Sequence, residues 1–311
     1  GSQAQLTKAL VTDSITASTS LVTITDAAYS TGNTATIAAT ALSGIGGATT
    51  GTVTLQNKVR ISGAQSEVTT ALIGDSSVVA SQAATEAVVT DAVSASQGAA
   101  IADVSKITGI FSGGLTDSVG NLVTGVTTSA NLNTVTTEDT DINITVSDNA
   151  FHATTNTATI AAAGLSAVKA KTSGTLTVSK AVKITGSQAQ LTKALVTDSI
   201  TASTSLVTIN DNAFHATTNT ATIAATALSG IGNATTGTVT VSNAIKVEGT
   251  ASQLTEALVS GSKTVSAGTA LVTVTDAAFS TGNTATIAAT TLSGIGNATT
   301  GTVTVSNAIK V

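Results

Sequence analysis

The sequence predicts an α/β solenoid, a repeat fold in which parallel β-sheets and short helices follow one another along one axis. Three observations predict it. The chain repeats long segments of itself, its apolar residues recur in both strand-like and helix-like patterns, and it contains no proline. An all-β parallel solenoid, in which short strands or turns replace the helices, is the alternative that the same pattern allows.

Internal repetition dominates the chain. The segment GSQAQLTKALVTDSITASTSLVTI occurs at residues 1–24 and, unchanged, at residues 186–209, and LSGIGNATTGTVTVSNAIKV occurs at residues 228–247 and 292–311. These matches divide the chain into five copies, which are residues 1–62, 63–124, 125–185, 186–248 and 249–311. Such units bury their core against their neighbours, so we expect one continuous solenoid over residues 1–311.

Neither end of the chain carries the atypical polar repeat that commonly closes an array of this kind. The sequence begins at the first glycine of a copy and ends with AIKV, which elsewhere continues into EG of the next copy. We therefore expect either an excerpt of a longer array or a protomer that stacks end to end.

The composition suits a stacked fold. Of 311 residues, 41% are hydrophobic and 9% are charged, against about 25% charged in average proteins. Proline would remove an N–H group from the ladder between coils, and small side chains let neighbouring layers approach closely. The chain is thus predicted to bury a core, and disorder is not expected.

Three segments of each copy alternate apolar and polar residues with a period of two. GTVTV at Gly237–Val241 and AIKV at Ala244–Val247 are predicted strands joined by a turn, and ALVTVTDA at Ala270–Ala277 is a third. This alternation is the pattern of a strand with one buried face.

Two other segments predict helices. In Thr250–Ser260, Thr250 is a suitable N-cap and the apolar residues follow helical spacing. In Thr222–Gly232 the apolar residues also share one side, and Gly230 and Gly232 are predicted to end the helix.

The glycine-rich stretch within Leu228–Val247 raises the question of a phosphate-binding loop. A P-loop requires a lysine after its last glycine, but Gly237 is followed by Thr238. A dinucleotide-binding loop requires a strand before the glycines and a helix after them, and here the predicted order is reversed. The stretch is therefore interpreted as a helix end and a tight turn into a strand.

Catalytic residues are not expected. His152 and His215 occupy the same position of the repeat, where two other copies carry Ser30 and Ser280. A general base cannot be exchanged for serine, which also excludes a Ser-His-Asp triad. The absence of cysteine excludes thiolate catalysis and cysteine-ligated zinc, so the prediction is that the chain is not an enzyme.

One aspartate follows the third strand in each copy, and its predicted role is to cap or turn the backbone directly after that strand. These residues are Asp26, Asp91, Asp148, Asp211 and Asp276. The alternative is a row of calcium ligands, but calcium requires several oxygen ligands close together. The acidic segment Glu138–Asp148 is where calcium, the one cofactor considered, would bind; otherwise no cofactor or metal is expected.

Threonine recurs in the pattern Thr-x-Thr, which places two hydroxyl groups on one face of a strand. The pairs are Thr23–Thr25, Thr52–Thr54, Thr220–Thr222, Thr238–Thr240 and Thr302–Thr304. Threonine is common in strands for its propensity alone. Rows of aligned threonines in stacked coils would instead form a flat surface that binds ice or a glycan.

Charge and hydropathy limit the partners. The net charge is −5, the pI is near 4.8 and the twelve basic residues are scattered, so no basic patch for nucleic acid is expected. No apolar run approaches the ~18 residues of a membrane span.

The segments VTVTDAAFSTGNTATIAATTLSGIGNATTGTVTV and VEGTASQLTEALVS resemble the Thr/Ala/Gly-rich tandem repeats of giant bacterial cell-surface proteins, best known in cyanobacteria and described as adhesin-like or haemolysin-like. The matching elements are Val272–Asp276, Thr299–Val303 and Gly249–Leu254. The resemblance implies an elongated, extracellular or cell-surface, non-enzymatic protein, and it carries over no binding residue.

Repetition and resemblance together predict a stalk, fibre, sheath or surface-layer component that associates with itself, end to end or laterally. The alternative function is an adhesin, or an ice-binding or glycan-binding module, that uses aligned threonine side chains.

Overall fold

The structure is a computed structural model that describes residues 1–74, 78–82, 85–259 and 265–311. The chain forms two compact units. Unit 1 comprises Gly1–Thr124, Thr128–Thr145 and Ala170–Thr175, and unit 2 comprises Gly125–Thr127, Val146–Lys169 and Leu176–Val311. Each unit combines short helices with parallel sheets, so the predicted α/β class is confirmed and the all-β alternative is wrong.

The helices are short. The α-helices of unit 1 are Gln3–Leu6, Ala39–Gly47, Gln65–Thr69, Ala95–Ala102, Val119–Leu122 and Ala130–Glu138. Those of unit 2 are Ala162–Lys169, Gln188–Leu191, Ala225–Asn233, Ala251–Leu258 and Ala289–Asn297. Three helices continue as π-helical turns, which are Thr7–Thr12, Thr70–Gly74 and Thr192–Thr197.

Unit 1 contains two parallel sheets. In spatial order, the strands of one sheet are Val22–Ile24, Val53–Leu55 and Val78–Ala80. Those of the other are Thr36–Ala38, Arg60–Gly63, Thr85–Val89 and Ile107–Phe111. Further short strands of the chain are Leu115–Asp117, Val123–Thr124, Thr127–Thr128, Ile144–Val146 and Leu176–Val178.

Unit 2 also contains two larger parallel sheets. One consists of Thr159–Ala161, Lys183–Gly186, Leu206–Ile209, Val239–Val241 and Val265–Ser266. The other consists of Thr222–Ala224, Lys246–Gly249, Leu271–Val274 and Val303–Val305. All four sheets take strands from two or three successive copies, so the copies within a unit interlock and are not separate beads.

The same strand register recurs at three of the places where one copy meets the next. Lys183 lies opposite Leu206, Lys246 opposite Leu271, and Arg60 opposite Glu86. Equivalent residues of the repeat therefore occupy equivalent places in the sheets, and we call each of these three places a junction.

The core is aliphatic. Strands bury alternate residues, as in Leu206–Ile209, where Val207 and Ile209 are buried. The helices contribute one side each, so Leu228 and Ile231 are fully buried. Because the core side chains are small, the helix and sheet layers pack closely.

The predicted helix Thr222–Gly232 is wrong at both ends. Thr222–Ala224 is a strand, because Ile223 pairs with Val247 in a parallel sheet and β-branched residues favour that conformation. The helix begins at Ala225 and runs to Asn233, with Gly230 inside it. The Cβ position of Gly230 lies 3.7 Å from Val196, so this glycine packs beside a neighbouring helix instead of ending its own.

The other predicted elements are confirmed in outline. The helix predicted at Thr250–Ser260 is Ala251–Leu258, and Thr250 caps it in a capping box with Gln253. Ser260 lies outside the described residues. The predicted strands are Val239–Val241, Lys246–Gly249 and Leu271–Val274.

Candidate functional site

The glycine-rich stretch forms a backbone clamp. The Thr235 hydroxyl is buried and donates to the carbonyl oxygen of Ser205 at 2.6 Å, and it accepts from the Gly237 N–H at 2.9 Å. A Cβ atom on Gly237 would overlap the same carbonyl oxygen. Glycine is needed at this position because two backbone segments are in contact there. The predicted turn is therefore confirmed, and the Gly237 N–H is bound by a side chain of the protein itself.

This threonine clamp, defined as Thr235–Gly237 and its equivalents, recurs in four copies. The other members are Thr49–Gly51, Thr172–Gly174 and Thr299–Gly301. Their threonine hydroxyls donate to the carbonyl oxygens of Ser20, Ile142 and Ala270 at 2.8, 2.6 and 2.6 Å respectively. The clamp is thus a structural element of the repeat.

Aspartates of the repeat cap helices. The carboxylates of Asp26, Asp91, Asp211 and Asp276 accept from the N–H groups of Gln3, Gln65, Gln188 and Ala251, at 2.5, 2.5, 2.5 and 2.7 Å. Each of these N–H groups lies in the first turn of a helix, where an anion is favourable. The sequence predicted that these residues cap or turn the backbone after their own strand, but in the structure each caps a helix that lies 23 to 26 residues earlier in the chain. Asp117, which the sequence analysis missed, accepts from Ala95 in the same way.

The two histidines lie in exposed loops. His152 Nδ1 accepts from the backbone N–H of Thr155 at 3.3 Å, and His215 Nδ1 accepts from that of Thr218 at 3.4 Å. In the fifth copy, the Ser280 hydroxyl accepts from the Asn283 N–H at 3.2 Å. Serine and histidine thus both serve as local acceptors that hold the loop.

The acidic segment Glu138–Asp148 contains one carboxyl group with a shifted pKa. Burial raises the pKa of Asp139 above its ordinary value of 3.8, and the neighbouring Asp141 raises it further, while the Phe111 N–H opposes both. Asp139 accepts from that N–H at 2.7 Å. Across the described residues, no group of three or more His, Cys, Asp or Glu side chains could hold a metal ion.

Hydroxyl groups form an aligned row on one sheet of unit 2. Thr185 lies opposite Thr208, Thr208 opposite Thr240, and Thr240 opposite Ser266. Neighbouring strands are about 4.8 Å apart, so four hydroxyls repeat at that spacing on a face that reaches solvent. Only Thr240 of this row belongs to a predicted Thr-x-Thr pair, because register and not sequence spacing aligns the others.

A basic side chain lies over an aromatic ring in four copies. The pairs are Arg60 with Tyr29 at 3.8 Å, Lys183 with Phe151 at 5.2 Å, Lys246 with Phe214 at 5.4 Å, and Lys310 with Phe279 at 5.3 Å. The distances run to the ring centroids and lie within the range of cation–π contacts. The pairs anchor the loop after each third strand. Their signal in the sequence is a recurring aromatic residue and a later basic one, which the sequence analysis missed.

Large apolar side chains are exposed in all five copies, among them Val79 at 44% and Val126 at 65%. Ile15, Leu21, Val305 and Val311 are 57%, 79%, 37% and 64% exposed.

No protein-family model matches the sequence. No curated protein and no solved structure is significantly similar to it. Among the described residues, no helix is both long and apolar enough to cross a membrane.

Proposed function

We propose that the chain is a non-enzymatic structural repeat protein whose five copies form one continuous α/β solenoid. It acts outside the cell or at the cell surface as a stalk, fibre, sheath or surface-layer component, and its partner is itself. The observation that supports this proposal most strongly is the strand register shared by the three junctions. Repeats that pair with their neighbours in one constant register can extend an array without closing a core.

The side chains that could act in catalysis or metal binding have structural roles in the repeat, and this supports the proposal. Four repeat aspartates are occupied as helix caps, and the histidine positions tolerate serine. The threonine clamp uses its hydroxyl to hold backbone. Residues that recur from copy to copy thus maintain the repeat itself, which is the expected pattern for a structural array.

The cell-surface location is supported by the resemblance of Val272–Asp276, Thr299–Val303 and Gly249–Leu254 to tandem repeats of large bacterial surface proteins. It is also consistent with a low charge content of 9% and the absence of cysteine. Immunolabelling of intact cells that produce the protein tests the location: labelling only after permeabilisation would contradict it.

Small-angle X-ray scattering tests the solenoid. If each of the five copies contributed two helix layers about 8–10 Å apart, as the proposal requires, the protein would be a rod about 90 Å long with a radius of gyration of about 27 Å. A compact globule of the same chain length would have a radius of gyration of about 19 Å. A value near the smaller number at low protein concentration would contradict the proposal.

The hydroxyl row of Thr185, Thr208, Thr240 and Ser266 favours a second candidate function, an adhesin or an ice-binding or glycan-binding module. Such a surface should lower the freezing point without a matching change in melting point, or retain the protein on a glycan array. Replacing Thr185, Thr208 and Thr240 by valine should abolish either activity, while the exposed residues Thr12 and Thr197 serve as control positions. A wild-type protein without either activity would exclude this candidate.

A further inference from the structure

We propose that the two larger sheets of unit 2 each carry a binding site for an anionic glycan, in which a lysine stacked on an aromatic ring binds a carboxylate of the sugar. The inference rests on the second candidate function, the glycan-binding module, and names its ligand and the residues that bind it. The third-copy site consists of Phe151, Lys183, Leu206, Thr208, Thr238 and Thr240. The fourth-copy site consists of the equivalent residues Phe214, Lys246, Leu271, Thr273, Thr302 and Thr304.

Strand register places the side chains of the third-copy site on one face of a sheet. Lys183 lies opposite Leu206, and Thr208 lies opposite Thr240, while alternate residues of a strand share a face. Lys183, Leu206 and Thr208 are half-buried, and Thr240 is exposed. The intervening residues lie on the opposite face and are buried, namely Ile184, Val207 and Val239.

The exposure of this site is a property of the sheet face and not of a sheet edge. The strand Val239–Val241, which follows Thr238, is paired on one side with Leu206–Ile209 and on the other with Val265–Ser266. Thr238 and Thr240 are nevertheless exposed. A strand with two paired edges offers no backbone groups to an extended peptide, so a ligand must bind here through side chains.

An aromatic ring positions the lysine of each site. Lys183 Nζ lies 5.2 Å from the ring centroid of Phe151, and Lys246 Nζ lies 5.4 Å from that of Phe214. The rings are themselves held in place, because the N–H group of each phenylalanine donates to a backbone carbonyl oxygen at 2.8 Å. An ammonium group has three N–H donors, so the contact with one ring face leaves donors for an anion.

The first copy shows which group such a cation binds. There the stacked cation is Arg60, which lies 3.8 Å from the ring centroid of Tyr29. Its Nε donates to the carboxylate of Glu86 at 2.6 Å, and Glu86 is the residue opposite Arg60 in the neighbouring strand. At this junction the chain therefore supplies the anion itself.

The lysines of unit 2 have a different neighbour at that position. Leu206 lies opposite Lys183, and Leu271 lies opposite Lys246. Among the described residues, neither lysine forms an ion pair like that of Arg60. Each lysine thus has beside it the place that a carboxylate fills in the first copy, and a carboxylate of the ligand fills it here.

The surroundings of the lysine favour a sugar acid over other anions. The residues of the fourth-copy site line a groove of about 280 Å³, which combines one cation with threonine hydroxyls, a leucine and an aromatic ring. Sugar hydroxyls can pair with the threonine hydroxyls, and the C–H face of a sugar ring can pack on apolar carbon. A nucleic acid is disfavoured, because the protein has a net charge of −5 and nucleic-acid binding requires several cations.

Neighbouring charges rank the two sites. Glu248 lies two residues beyond Lys246 on the same face, and its carboxylate accepts from the Thr222 hydroxyl at 3.0 Å. The equivalent residue of the third-copy site is the neutral Thr185. Because like charges repel, the third-copy site should bind an anionic sugar more tightly, and Glu248→Thr should raise the affinity of the fourth-copy site.

Calorimetric titration with a short oligomer of galacturonic acid tests the proposal. The matched ligand is its methyl ester, which keeps the sugar hydroxyls but lacks the charge and should not bind. Leu206→Glu places a carboxylate opposite Lys183, as Glu86 lies opposite Arg60, and should abolish the tighter binding event. Leu206→Gln, which has the same shape without the charge, should retain it. Lys183→Gln should weaken this event about fivefold, the upper range for a solvent-accessible ion pair, and Lys8→Gln, at an exposed lysine of unit 1, should leave it unchanged.

The outcomes separate this proposal from the function on which it rests. Equal affinity for the acid and its methyl ester would overturn the anionic ligand but leave a glycan-binding module standing. Equal losses in Leu206→Glu and Leu206→Gln would overturn the assignment of the site. Absence of binding of the acid to the wild-type protein would also overturn the proposal, and the glycan array and the freezing-point measurement would then decide the second candidate function separately.

Discussion

Residues 1–24 and 186–209 have the same sequence but different surroundings. Both begin with a capping box, Ser2 with Gln5 and Ser187 with Gln190, and both continue into a π-helical turn. Yet Leu191 is fully buried, whereas its equivalent Leu6 is partly exposed. The comparison teaches that local conformation follows local sequence, while burial follows the neighbouring copy.

Residues 228–247 and 292–311 give the same lesson at the other end. The helix and the strand of the threonine clamp are present in both copies. Leu228 and Val247 are fully buried, but Leu292 is partly exposed and Val311 is 64% exposed. Ile295, however, is as buried as Ile231. The two segments therefore differ in burial at some positions and agree at others.

The largest expected effect comes from truncating the same isoleucine in both regions. Ile200→Ala should lower the free energy of unfolding by about 2–5 kcal/mol, because it opens a cavity in a packed core. Ile15→Ala should change it by less than about 0.5 kcal/mol, as at other exposed sites. Denaturant titration followed by circular dichroism measures both. Equal losses would show that burial of the two isoleucines does not differ in solution.

A smaller effect is expected at the threonine clamp, which is the same in both regions. Gly237→Ala and Gly301→Ala should each cost about 1–3 kcal/mol, since the new methyl group meets a backbone carbonyl and forces a shift. Gly296→Ala is the control: nothing lies within 4 Å of its Cβ position in the helix, so a gain of about 0.5–1 kcal/mol is expected. Thermal melting of the three variants tests this order, and a neutral Gly237→Ala would disprove the close approach.

Removing the clamp hydroxyl should cost less again. Thr235→Val leaves the Ser205 carbonyl and the Gly237 N–H without their shared partner, a loss of about 1–2 kcal/mol. Thr240→Val, on the exposed face of the following strand, should stay within about 0.5 kcal/mol. Hydrogen exchange at Gly237 gives an independent readout, since its protection should fall in the first variant and persist in the second.

The smallest effect concerns the third copy and its acidic segment Glu138–Asp148. The pKa of Asp139 is higher in the folded state than its ordinary value of 3.8. Between these two pH values the folded protein therefore keeps a proton on Asp139 that the unfolded protein has released. Its contribution to stability is therefore greatest at acid pH and is lost as pH rises through this window. Asp139→Asn should melt above wild type at pH 7, and the gap should narrow towards pH 3.

An exposed carboxylate, Asp103, provides the control for that comparison. Asp103→Asn should follow the wild-type melting temperature across the same pH range. If the difference in melting temperature between Asp139→Asn and wild type did not change with pH, the effect would come from packing. That result would contradict the prediction that the titration of Asp139 causes it.

Some elements could be predicted because their signals are local. Thr250 and Gln253 specify a helix start by a capping box, and the alternation in Gly237–Val241 specifies a strand. Thr222–Ala224 could not be assigned in this way, because its conformation depends on pairing with Lys246–Glu248, a contact between distant positions. The aligned hydroxyls of Thr185 and Thr208 likewise depend on strand register.

The sequence by itself determined the repeat, its α/β composition and the Thr250 helix cap, because these follow from periodicity, capping chemistry and side-chain volume within a few residues. The tertiary structure decided which copies share a sheet, which identical residues are buried and which helix each aspartate caps. The physical reason is that burial and strand pairing are properties of two segments in contact. Identical segments, such as residues 1–24 and 186–209, therefore differ only where their neighbours differ.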